Sequence, residues 1–138
     1  MNTFSKTIDL LSRSMDVQSM RLDVIANNYA NAEVPNFKRS NINFESELKK
    51  ALASENKKPS LELARSNPMH FSNYDPVDYR NVRPQRVIDY LTTSKDNGNN
   101  VDPEQEQMAA LKTQMLYNLF ADAASFQFGQ VNMVLQNS

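Results

Sequence analysis

Apolar residues recur at alternating steps of four and three at both ends of this chain, a spacing that turns one seam of a helix toward another helix. In the first run Phe4, Ile8, Leu11, Met15, Leu22, Ile25 and Tyr29 keep the series, and Gln18 is its polar interruption. In the second run Met108, Leu111, Met115, Leu119, Ala123 and Phe126 form a similar stripe. Leu116, Phe120, Ala124, Val131 and Val134 add another beside it. A helix that is apolar over so much of its circumference is buried on several sides, and one partner helix cannot cover all of it. The pattern predicts a mainly α chain whose two long terminal helices pair as a coiled coil and also meet helices of other chains.

Between these ends the order changes. Asn27, Asn28 and Asn31 crowd the end of the first helix, and Pro35 forbids its continuation. This divides the chain into an N-terminal helix over 1–31, an irregular middle segment over 32–101 and a C-terminal helix over 102–138, all within one structural unit. Phe44, Leu48, Ala51 and Leu52 stand at helical spacing, which predicts a short helix over about 44–54. Pro59, Pro68, Pro76 and Pro84 then interrupt any regular element. The β-branched and aromatic weight of Val87, Ile88, Tyr90 and Thr92 predicts a strand over about 86–93. The stretch Asp96-Asn97-Gly98-Asn99-Asn100 is turn chemistry, after which Asp102 is placed to cap a helix that Pro103 opens.

Composition excludes more than it assigns. Of the 138 residues 40% are hydrophobic, against roughly 45–50% in ordinary globular domains, so the core is modest. A net charge of −1 with scattered Lys and Arg gives no basic footprint for nucleic acid, and the pairs Lys38–Arg39 and Lys57–Lys58 read as solvated. The chain has no Cys, a single His at position 70, and Gly only at positions 98 and 129. Thiolate chemistry, a zinc site, a His-based triad and a Gly-rich phosphate cradle therefore lack their parts. Carboxylates two apart on helical segments, Glu45/Glu47 and Glu104/Glu106, do not share a helix face and read as solubilising charges. The residues assign no catalytic centre, no cofactor, no metal and no small-molecule substrate. No apolar run reaches the roughly 20 residues of a membrane span, and Met1 to Ser14 has no basic stretch followed by an unbroken apolar one, so a cleaved signal peptide is not expected.

A resemblance narrows the reading. Ile25-Ala26-Asn27-Asn28-Tyr29-Ala30-Asn31-Ala32-Glu33-Val34-Pro35-Asn36-Phe37-Lys38-Arg39 resembles the signature of the bacterial flagellar rod and hook family, in which a helix ends in Asn-aliphatic-Ala-Asn before a Thr-Pro-Gly-aromatic turn. Asn36-Phe37-Lys38-Arg39 continuing to Ile42-Asn43-Phe44, and Gly98-Asn99-Asn100-Val101-Asp102 before the last helix, are similar to the proximal rod members of that family. The motif residues carried over are Asn27, Asn28, Ala30, Asn31, Pro35, Phe37, Gly98, Asn99, Asn100 and Asp102. Tyr29, Val34 and Asn36 depart from the family pattern, though Asn, like Gly, adopts a positive φ.

The resemblance implies a structural subunit, not an enzyme, of the proximal rod that joins the membrane ring and export gate to the distal rod and hook. Its implied partners are copies of itself, other rod proteins, and proteins of the export gate and membrane-ring junction. Its implied place is the basal body on the periplasmic side of the inner membrane, reached through the flagellar type III apparatus. Ile8, Leu11, Met15, Leu22, Ile25, Leu111, Met115, Leu119 and Phe126 are the expected helix-packing and assembly residues. The competing expectation from the same helical pattern is a soluble adaptor or export chaperone whose hairpin binds a partner helix.

Overall fold

A computed structural model describes residues 3–56, 76–92 and 95–136 of the chain. The elements are α1 (Thr3–Ala30), β1 (Ser40–Asn43), α2 (Glu45–Asn56), a 3-10 turn at Tyr79–Asn81, β2 (Gln85–Ile88) and α3 (Pro103–Gln136). They fall into two compact units, one made of residues 1–42 with 86–138 and the other of residues 43–85. No helix among the described residues is long and apolar enough to cross a membrane.

In the first unit α1 and α3 pack along their lengths in opposite directions. Phe4 meets Phe128 edge to face with ring centroids 5.8 Å apart, and near the other end Gln107 Nε2 donates to the Tyr29 hydroxyl at 3.2 Å. Val17, Val24 and Ile25 are the buried apolar residues of α1. Gln18 interrupts the apolar series yet is buried as well. Its side-chain oxygen is satisfied by Arg21 Nη1 at 3.1 Å, while Arg21 Nη2 reaches the Ile42 carbonyl at 3.3 Å. A buried amide costs little when its hydrogen bonds are met.

α1 stops where its own asparagines turn the chain. The Asn27 carbonyl accepts from both the backbone N–H of Asn31 and its side-chain amide, at 3.2 and 2.7 Å. Beyond Pro35, Asn36 takes a φ of +59°, the left-handed conformation that Asn tolerates. α3 begins on Asp102, whose carboxylate accepts from the Glu104 N–H at 2.9 Å and lies 3.5 Å from the Gln105 N–H. Pro103 occupies the first helical position, where no N–H is needed.

β1 and β2 form a two-stranded sheet. They run antiparallel, because Arg39, just before β1, accepts from the N–H of Asp89, just after β2, at 2.9 Å. The strand expected over 86–93 is therefore shorter, and its partner is β1, which the pattern did not predict. The strand ends at Ile88 because the Asp89 side chain competes for the backbone, as aspartates do in turns. Its carboxylate accepts from Leu91 N at 3.0 Å, Thr92 N at 3.2 Å and the Thr92 hydroxyl at 2.6 Å.

The Thr92 side chain and then its backbone N–H hold the Asp89 pKa below its ordinary value of 3.8. A carboxylate depressed in this way contributes to the turn at neutral pH and loses its contribution as pH falls through the folded pKa. The Leu91 and Thr92 amide resonances should accordingly titrate with a midpoint below 3.8, and a midpoint above it would show that the turn does not hold Asp89 in solution.

The second unit is small. Phe44, Ala51, Tyr79 and Val82 are buried, and Phe44 accepts the first helical bond of α2, from Leu48 N at 2.9 Å. α2 thus occupies Glu45–Asn56, two residues longer at its C-terminal end than the apolar spacing indicated. Within this unit the Val77 N–H donates to Ser54 Oγ at 3.0 Å, and Asp78 caps the 3-10 turn by accepting from Arg80 N at 2.9 Å. Lys57, Lys58, Pro59, Pro68 and His70 lie outside the described residues.

Candidate assembly surface

At the end of the helix pair where the chain leaves α1 and enters α3 sits a buried polar knot. Asn28 has no exposed surface. Its side-chain oxygen accepts from the Ser40 N–H at 3.0 Å and its amide nitrogen donates to the Ser40 carbonyl at 2.8 Å. The carboxamide stands where a neighbouring strand would, closing one edge of β1. The same nitrogen lies 3.2 Å from Glu106 Oε2, and Arg39 Nε donates to Glu106 Oε1. Glu106 is fully buried, whereas Arg39 stays partly exposed.

These two residues correct the sequence reading. Glu106 is not a solubilising charge, and Lys38–Arg39 is not a solvated pair. Two-residue spacing does place Glu104 and Glu106 on different faces, but the face that Glu106 occupies turns inward.

A second layer holds the connection between the helices. Asn99 is fully buried, and its amide nitrogen donates to the carbonyls of Asn31, Ala32 and Val34 at 2.9, 3.0 and 2.8 Å. Its oxygen accepts from Val101 N at 2.7 Å. Asn100 inserts its carboxamide between the chain before β1 and the chain after β2, accepting from Arg39 N at 2.6 Å and donating to the Asp89 carbonyl at 2.9 Å. Lys38 Nζ donates to the Gly98 carbonyl and Lys95 Nζ to that of Ala32, both at 2.8 Å.

The backbone at Gly98 requires glycine, and the Asn36 side chain would have to move for any other residue. The φ of Gly98 is +79°, and a Cβ at this position would lie 2.6 Å from Asn36 Oδ1. Gly98→Ala should therefore cost about 1–3 kcal/mol in denaturant unfolding; an unchanged midpoint would show that the turn relaxes freely.

The motif residues thus divide. Asn28, Asn99, Asn100 and Gly98 converge on the knot and its turn, with Phe37 half-buried nearby in sequence and Asp102 capping α3. Asn31 contributes a backbone carbonyl. Asn27, Ala30 and Pro35 are exposed, and the Asn27 side chain accepts from Arg86 Nη2 at 3.3 Å. Arg39, Ser40 and Glu106 were missed by sequence reasoning. An acidic residue in the first turn of a helix is so common that Glu106 carried no signal of burial.

The packing residues divide too. On α1, Ile25 is buried, and Ile8, Leu11, Met15 and Leu22 are half-buried. On α3 the face turned inward is Glu106, Ala109, Ala110, Thr113, Leu116 and Phe120, all buried or half-buried. The stripe of large side chains is exposed: Leu111 by 62%, Met115 by 72%, Leu119 by 59% and Phe126 by 63%. Met108 belongs with them, and a shallow trough of about 680 Å³ runs over Met108, Leu111, Met115 and Leu119, with Lys112 and Asp122 on its rim. An apolar surface of this continuity marks an interaction site. Among the described residues no group of His, Cys, Asp and Glu is placed to hold a metal ion.

Comparison with known proteins agrees with this geometry. The family model described as "Flagella basal body rod protein" matches residues 10–38, which cover most of α1 and the turn that leads to the knot. The chain is 43% identical over 136 residues to the "Flagellar basal body rod protein FlgB" of Borreliella burgdorferi, covering 99% of this chain and 100% of that one. It is 40% identical to the protein of the same name from Borrelia hermsii, with the same coverage. To that of Bacillus subtilis it is 26% identical, across 98% of this chain and 97% of the relative.

Proposed function

Because the chain belongs to the FlgB family of flagellar basal body rod proteins, we propose that the exposed stripe of α3 is the surface on which neighbouring rod subunits dock. The protein is a structural component of the proximal rod and assembles with other rod and basal-body proteins. The finer reading is that some of those neighbours are further copies of this chain. The observation that carries it is the outward run Met108, Leu111, Met115, Leu119 and Phe126, with Lys112 and Asp122 beside it, on a helix whose opposite side is already occupied by α1. A surface of one kind meeting a different surface on the next copy builds an open helix, not a closed ring, and a hollow shaft is such an open helix. The motif residues around Asn28, Asn99 and Asn100 serve this surface indirectly, by holding the helix that bears it.

At its inner end this rod segment meets the export gate and the membrane-ring junction, on the periplasmic side of the inner membrane. The subunit reaches that place through the flagellar type III apparatus. Deleting the chain tests the whole reading by cryo-tomography with motility scored alongside. The export apparatus and membrane ring should remain while rod, hook and filament are missing. Complete flagella in the deletion strain would refute the rod assignment.

A further inference from the structure

We propose that the Asn28–Arg39–Glu106 cluster sets the rotation of α3 about its own axis, and thereby keeps the large apolar stripe facing outward. The docking role of that stripe rests on the function proposed above; the rotational role of the cluster stands on the geometry alone. At 3.6 residues per turn, the stripe through Met108, Met115 and Leu119 lies roughly half a turn away from the line through Glu106, Thr113 and Phe120.

The two faces are unequal. The outward one presents Met108, Leu111, Met115, Leu119 and Phe126. The inward one carries Ala109, Ala110 and Thr113 beside Glu106, with Leu116 and Phe120 as its large apolar side chains. Apolar area alone favours the opposite rotation, which would hide the richer stripe against α1.

What opposes that rotation is polar. If α3 turned by half, Met108 would face the cluster in place of Glu106. Arg39 would lose its carboxylate partner and the buried Asn28 amide would lose one acceptor. A buried group left unpaired penalises the wrong arrangement far more than the correct pairing rewards the right one. A polar residue at one position of a helix pair is the best-attested device for choosing register and partner in this way. The chain leading into α3 reinforces it, since Asn99 is tied to the turn after α1 by three bonds and Asn100 to Arg39, just before β1, by one, immediately before Asp102 caps the helix.

The absence of Cys makes the test clean. Two full-length chains are made, each with a single thiol, Leu111→Cys on the outward face or Thr113→Cys on the inward one. Each is labelled with a maleimide, alone and in an Arg39→Met/Glu106→Leu background that replaces the ion pair by apolar side chains. In the otherwise unchanged protein, Leu111→Cys should label about tenfold faster or more, since thiol reactivity follows exposure. In the Arg39→Met/Glu106→Leu background the difference should vanish or reverse while helical circular dichroism is retained. Glu106→Gln, which keeps one of the two acceptor oxygens and the polar side chain, should preserve the original order. The proposal is overturned if the order survives in the apolar background, if that background loses its helices, or if the two thiols label alike from the start. Survival of the order in the apolar background would sink the rotational role and leave the docking reading standing, whereas equal labelling from the start would count against both; the docking reading is tested separately by substitution within the stripe itself.

Discussion

Leu119→Asp should abolish motility and leave no rod beyond the membrane ring, while the isolated chain keeps its wild-type helical content. Leu119 is 59% exposed and faces away from α1, so a charge there falls within the usual ±0.5 kcal/mol of a surface substitution for folding. In an assembled wall the same carboxylate would be stripped of water between apolar helices with no partner. That costs several kcal/mol at each contact, and every 1.4 kcal/mol is a tenfold loss of affinity. Because each copy repeats the defect, the shaft should fail altogether. Soft-agar motility, tomography and circular dichroism of the purified chain check the three parts, and normal swimming would remove the stripe from the interface. Ile25→Asp should also prevent assembly, but through unfolding, since Ile25 is only 7% exposed within the helix pair. The contrast between the two separates a docking surface from a core.

The second large effect is expected at Arg39. Arg39→Ala leaves the Glu106 carboxylate fully buried, with the Asn28 amide as its remaining side-chain partner among the described residues. Breaking a buried pair from one side costs about 3–5 kcal/mol, a large share of the 5–15 kcal/mol by which whole domains are stable. Glu106→Gln should cost less, on the order of 1–2 kcal/mol, because one of the two acceptor oxygens remains and the Arg39 charge left without its partner is partly exposed to water. Urea unfolding of the full chain measures both. A loss below about 1 kcal/mol for Arg39→Ala would mean that the pair behaves like an ordinary surface salt bridge.

The terminal helices were legible because a long apolar period leaves little choice of element. The seam was not legible in its rotation: the stripe that looked like the natural partner face on α3, from Met108 through Phe126, is the one left in the open. Periodicity reports that a helix has an apolar face but not which neighbour takes it. The choice is made by Glu106, whose partners Asn28 and Arg39 come from distant parts of the chain. β1 was invisible for a similar reason. Ser40-Asn-Ile-Asn has poor strand propensity and becomes a strand only because Asn28 supplies one edge and β2 the other. The Asn-rich motif residues could be picked out by resemblance, yet their chemistry could not. That Asn99 gathers three carbonyls and Asn100 bridges two segments depends on where the turns bring them.

Those carboxamides also bear on mechanics. In a drive shaft the link between two helices is loaded in twist, and a link that gives way one bond at a time acts as a hinge. Here Asn28 holds both backbone groups of Ser40, Asn99 holds the carbonyls of Asn31, Ala32 and Val34, and Asn100 links Arg39 to Asp89. A torsional load therefore falls on their bonds side by side, not in succession. The yield point is then set by their sum, and the joint between α1 and α3 works as a stiff coupling that hands torque on with little backlash.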